Sequence, residues 1–205
     1  MIGEVDQALG DLLRARAVPR GQVEISFEAP SRDWAAGRTV PTVNAYLYDI
    51  REDMERREYG LVSVRDESGI VVKRHRPLRH FRLSYLMTCW TSRPQDEHSL
   101  LSSVLGCLVG TEVLPVSGAG PLASLGLPVQ LTIATPPDDS RSAADLWSAL
   151  GGNLKPSLDA VVIAPYPDDS EFAVAPPVTE GPGVVGQRLD VPDKADPMRL
   201  RRARR

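Results

Sequence analysis

Three histidines, two cysteines and a few acidic pairs are the residues from which this 205-residue chain could build a reactive site. His98 follows Asp96 and Glu97, a grouping that suggests a metal ligand or an acid–base pair. Adjacent helical positions point about 100° apart, so only one of the three can face a given site. No second histidine stands four residues away, as a helical zinc pair requires. The two acids instead suit the positive end of a helix. Gly118-Ala119-Gly120 and Gly151-Gly152 match neither phosphate-loop pattern, and Ser117 and Ser124 lack the surroundings of a nucleophile elbow. Asp138-Asp139 and Asp168-Asp169 each follow a proline and read as turn residues, with too few oxygens nearby for a calcium loop. Cys89 and Cys107 form no Cys-x-x-Cys pair and read as reduced, buried thiols. No catalytic, cofactor-binding or metal-binding residue is therefore assigned, and no cofactor is expected. The enzyme reading that stays open is a small metal-dependent hydrolase using His98.

The residues suited to contact are more numerous. Trp34 lies in a polar stretch with Arg32, Asp33 and Arg38, where an exposed indole would mark a contact surface. Trp90 and Trp147 sit in apolar patterns and read as core. Lys73, Arg74, His75, Arg76 and Arg79 make a basic run that suits a phosphate or an acidic partner. The chain ends on Arg201, Arg202, Arg204 and Arg205, a basic tail open to an acidic protein partner. With 24 basic and 27 acidic residues the net charge is -3, so an electrostatic grip on nucleic acid by the whole domain is not expected. No apolar run approaches the roughly 18 residues of a membrane span, so no insertion is expected. No basic-then-apolar leader opens the chain, and the expected location is cytoplasmic.

The positioning elements follow from periodicity. Ile2, Val5, Leu9, Leu12 and Leu13 mark one face of a helix that Pro19 and Gly21 stop. Val23, Ile25 and Phe27 alternate with polar residues and predict a strand. Residues 31–41 read as a loop, and Thr42 to Asp49 as a second strand. Leu61 to Val64 and Ile70 to Val72 flank Asp66-Glu67-Ser68-Gly69 and predict a β-hairpin. Its short, charged arms suggest that it projects from the domain, with Asp66 and Glu67 at the tip. Phe81 to Trp90 alternate as a strand whose far end is central. Ser92-Arg93-Pro94-Gln95 fits a capping box, and Leu100 to Val109 supply a wide apolar helical stripe. A strand at Val129 to Ile133, a helix at Ser142 to Leu150 and a strand at Leu158 to Ala164 complete the order. The expected fold is α/β (α+β): one layered domain over residues 1–165 with a mixed β-sheet, flanking helices and a projecting hairpin. Residues 166–205 are expected to form a disordered tail, rich first in proline and glycine and then in arginine.

Several blocks in this order resemble a known family. They are Val43-Asn44-Ala45-Tyr46-Leu47-Tyr48-Asp49-Ile50-Arg51-Glu52; Arg76-Pro77 with Leu83-Ser84-Tyr85-Leu86-Met87-Thr88-Cys89-Trp90 and Glu97-His98-Ser99-Leu100-Leu101; and Leu146-Trp147-Ser148-Ala149-Leu150-Gly151 with Lys155-Pro156-Ser157-Leu158. Together they resemble the N-terminal domain family of cap, or tail-tube terminator, proteins of phage-tail-like extracellular contractile injection systems. The resemblance spans about residues 1–165. It implies a structural protein without catalysis or cofactor, a homo-oligomeric ring (a hexamer) that closes the inner tube, and contact with the last sheath layer. A baseplate or sheath-adaptor subunit of the same particle is the alternative. A ring needs two complementary, non-identical faces on each subunit, and the hairpin with its basic loop is the expected contact region.

Overall fold

The structure, a computed structural model, describes residues 1–19, 21–135, 142–168 and 170–174. The chain opens with α1 (Ile2–Arg16), β1 (Glu24–Ser26), α2 (Arg32–Ala36) and β2 (Thr42–Glu52). The hairpin follows as β3 (Val62–Arg65) and β4 (Val71–His75), then β5 (Arg79–Trp90) and α3 (Pro94–Val109). β6 (Val113–Leu114), α4 (Pro121–Ser124), β7 (Val129–Ile133), α5 (Ala143–Ala149), β8 (Ser157–Tyr166) and β9 (Glu171–Ala173) complete it.

Six strands make the main sheet in the order β1-β2-β5-β8-β7-β6. β1 runs parallel to β2 and every other neighbour is antiparallel, so the sheet is mixed as expected. The side chains of β5 point alternately to its two faces. Its odd positions Leu83, Tyr85, Met87 and Cys89 join Val43, Ala45, Val162 and Leu131 in the core. The apolar stripes of α1 (Val5, Leu9, Leu13) and α3 (Leu100, Val104, Leu108) cover that face. Leu9, Leu13, Leu83 and Val104 are fully buried, and each such side chain contributes roughly 1.5–3 kcal/mol of transfer free energy. Tyr85 extends through this layer, and its hydroxyl donates to Asp6 Oδ1 at 2.6 Å.

The even positions of β5 face the other side, where α5 and a tryptophan cluster give cover among the described residues. Trp147 of α5 is 1% exposed and lies 6.3 Å from Trp90. Gly151 ends this helix at φ 68°, a left-handed position that suits glycine. A bulge at Leu47/Asp49 sets Tyr48 out of register in β2.

Three features differ from the sequence reading. Residues 31–41 contain α2, because the Ser31 side chain accepts from Trp34 N and caps a helix there. The N-cap of α3 is Arg93, without a side-chain hydrogen bond, so the capping box at Ser92 does not form. Instead Glu97 Oε1 accepts from Thr91 N at 3.4 Å. Third, β8 continues through Pro165 to Tyr166, and β9 lies beyond the residue-165 boundary. A compact unit spans Met1–Ala173. The tail from residue 175, with Arg201, Arg202, Arg204 and Arg205, and the pair Asp138-Asp139 lie outside the described residues.

Candidate assembly interface

The hairpin is built from its tip. Asp66 Oδ1 accepts from Ser68 N and Ile70 N, each at 2.9 Å, and Gly69 closes the turn at φ 80°. Arg65 Nη1 donates to Gly69 O at 2.7 Å. Asp66 is thus a turn-forming residue, and Glu67 stands exposed at the tip. The hairpin is not alone. β9 pairs with β4 and makes a second, three-stranded sheet in the order β3-β4-β9. Lys73 Nζ meets Glu171 Oε1 at 2.5 Å across that junction. Sequence patterning missed β9 because three residues in a Pro- and Asp-rich stretch carry no usable period.

This arm has little core of its own. Leu61, Val62, Ile70 and Val72 are 40–49% exposed, and Phe172 is 37% exposed. A three-stranded sheet is stable when one face packs on something, and exposed apolar side chains grouped on a projecting element mark a contact surface. Its root is braced. Glu52 takes a two-pronged contact from Arg79, Nε at 2.8 Å and Nη2 at 2.5 Å, and a third contact from Arg57 Nη1 at 2.5 Å. The Arg79 hydrogen bond holds the Glu52 carboxyl below its usual value and raises Arg79 in turn. Arg79 is therefore a strut at the root of the arm. His75 donates from Nδ1 to Arg76 O at 2.8 Å. The Arg76 guanidinium lies 5.6 Å from the Phe172 ring centre. Hydrogen bonds from Ser170, helped by the charges of Arg76 and Arg79, hold the Asp168 carboxyl below its usual value.

Trp34 belongs to a different region. It is half-buried in α2, not exposed in a loop. Its Nε1 donates to Glu28 Oε2 at 2.7 Å, Arg38 lies 4.6 Å from its ring, and its edge meets Trp90 at 5.4 Å. Lys155 Nζ stands 3.8 Å from the Trp90 centroid and donates to Cys89 O and Glu97 Oε1. This cluster ties α2, α3 and α5 to the sheet. The structure does not bring Trp34 together with the hairpin residues.

A cleft of 570 Å³ lies on the less covered face of the sheet, between α5 and residues of β2, β5, β7 and β8. Tyr48 donates to Asp159 Oδ1 there at 2.7 Å, and burial with that carboxylate pushes the Tyr48 hydroxyl up. This is not an arrangement of nucleophile and base. Burial pushes the Cys89 thiol up to about 12 and raises that of Cys107, so both stay protonated and unreactive at neutral pH. His75, His80 and His98 lie on β4, β5 and α3, and no group of three His, Cys, Asp or Glu able to hold a metal occurs among the described residues. Nor does any helix among them have the length and apolarity to cross a membrane.

Two solved structures share the fold. One is the PVC sheath/tube terminator of an extracellular contractile injection system in its extended state, with a TM-score of 0.67 and 24% identity over 93% of this chain. The other is the tube-terminating cap of the anti-feeding prophage, with a TM-score of 0.62 and 22% identity over 88% of this chain. The chain spans 65% and 60% of those two proteins. No curated protein matches the sequence. Residues 4–180 match the Pvc16 N-terminal domain, and the chain belongs to that family.

Proposed function

We propose that this chain is a structural subunit that closes the inner tube of a phage-tail-like contractile injection system, without catalysis. The observation that carries the reading is membership of the Pvc16 N-terminal domain family over residues 4–180. The likeness in fold to a sheath/tube terminator and to a tube-terminating cap supports it. In this reading the subunit assembles in the cytoplasm as a homo-oligomeric ring, with six copies, and meets tube on one side and the last sheath layer on the other. The arm of β3, β4 and β9 supplies contacts. Glu67 at its tip and Lys73, Arg74, His75 and Arg76 on its second strand lie on the element that leaves the main sheet. Asp66 and Arg79 shape the arm, and Trp34 braces α2 against Trp90 in a separate region.

Electron microscopy of particles assembled with and without this chain tests the reading. Particles made without it are expected to show tubes of uncontrolled length or to lack density at one end. Particles of unchanged length and complete ends would overturn it.

A further inference from the structure

The cleft on the less covered face of the main sheet has two unlike ends. Strand register sets out its floor. Arg51 of β2 stands directly opposite Arg82 of β5, and both line the cleft. Arg82, Ser84 and Leu86 are alternate residues of β5, so they share that face and span roughly 13 Å. The Leu86 end is apolar. α5 covers it, since Trp147 lies 6.3 Å from Trp90, further along β5, and Leu146 of α5 lines the cleft.

The Arg82 end is cationic. Directly opposed residues of neighbouring strands have Cβ atoms about 5 Å apart, and like charges there are destabilising. Asp49 Oδ2 meets Arg51 Nε at 2.9 Å and offsets one of the two charges. Arg82 is half-buried and has no hydrogen-bond or ion-pair partner among the described residues. The other carboxylate lining the cleft, Asp159, lies in register with Leu86 at the far end and accepts from Tyr48. A half-buried guanidinium opposite a second one is complemented by a carboxylate brought from outside. The volume of 570 Å³ is that of a binding cleft, and its apolar end takes more than an anion.

We infer that this cleft takes an extended segment of a partner protein that carries a carboxylate and, four residues along, an aliphatic side chain. The carboxylate meets Arg82, and the aliphatic side chain enters between Leu86 and Leu146. Residues four apart in an extended segment share a face and span the same roughly 13 Å, so both ends of the cleft are filled at once. A free anion would leave the apolar end empty. The inference goes beyond the capping reading and does not depend on it: particle length tests that reading, and peptide binding to the isolated full chain tests this one.

The test is an NMR titration of the full chain with the synthetic peptide acetyl-Gly-Glu-Thr-Thr-Thr-Leu-Gly-amide. Amide shifts are expected at Arg82, Ser84 and Leu86, with none at Val62 on the arm. Arg82→Gln in the protein, or glutamine for glutamate in the peptide, should each weaken binding about tenfold. Both changes together should weaken it little more than either alone, because they remove one contact. The peptide change keeps the test sound if Arg82→Gln disturbs folding. Serine for leucine in the peptide should weaken binding too. Silence of the cleft amides at millimolar peptide overturns the site. Binding indifferent to both charge changes overturns recognition of a carboxylate by Arg82. Inorganic phosphate that moves the same amides and binds as tightly as the peptide overturns the peptide as occupant and makes the cleft a small-anion site.

Discussion

The main sheet and the arm follow opposite rules of stability. In the main sheet, β5 has a neighbour on each side and two helices over one face, and its odd positions are excluded from water. In the arm, β4 has neighbours on both sides too, yet Val72 remains 49% exposed, because no helix among the described residues covers either face. Backbone pairing is thus common to both regions, and burial is what separates them. Since burial supplies most of the stabilising free energy, the main sheet holds the fold. The arm's apolar side chains remain available for burial against another protein.

Mutations can break or sharpen this contrast. The largest effect is expected at Leu83, which is fully buried in β5: Leu83→Ala should cost about 2–5 kcal/mol, read as a lower denaturant midpoint. Next comes Gly120, where an added Cβ would stand 2.1 Å from Glu4 Oε1. That oxygen accepts from Leu122 N and Ala123 N at the start of α4, so Gly120→Ala should cost about 1–3 kcal/mol as these bonds are lost, again by denaturant titration. Smaller still is a pH effect in the core. Burial raises the Asp6 carboxyl above its ordinary 3.8, with the Tyr85 hydroxyl opposing. A raised carboxyl favours folding while it is protonated, below the unfolded value, and that contribution is lost as pH climbs through the folded value. The stability of Asp6→Asn relative to wild type should therefore improve between about pH 3 and about pH 6. An unchanged difference would mean that Asp6 titrates alike in both states. The smallest effect belongs to the arm: Val62→Ala, at a side chain 40% exposed, should stay within about 0.5 kcal/mol of wild type. A cost comparable to Leu83→Ala would show that the arm has a core in solution after all.

Much of the fold was legible in short-range patterns. The stripe from Leu100 to Leu108, the alternation from Phe81 to Cys89 and the Asp66–Gly69 turn each carry a period or a turn chemistry that local geometry must obey. Where the reading erred, the signal was short or overridden. Trp34 looked like a loop residue because α2 is five residues long and is announced only by Ser31. Ser92 had the composition of a cap, but the chain enters α3 one residue later, where Pro94 supplies the first turn and Glu97 turns to Lys155. The candidate interface was half visible. The basic run from Lys73 to Arg79 stands out in any reading, whereas the bracing of Glu52 by Arg79 does not.

By itself the sequence determined the longer helices and strands, their apolar faces and the ordered blocks that resemble one family. Those properties depend on residues a few positions apart. Tertiary structure alone decided the strand order β1-β2-β5-β8-β7-β6, the seating of three residues of β9 beside β4, and the placing of Phe172 between Arg74 and Arg76. The physical reason is that strand pairing is satisfied by any backbone of suitable register, so three residues nearly a hundred positions away in the chain can complete a sheet without a local signature.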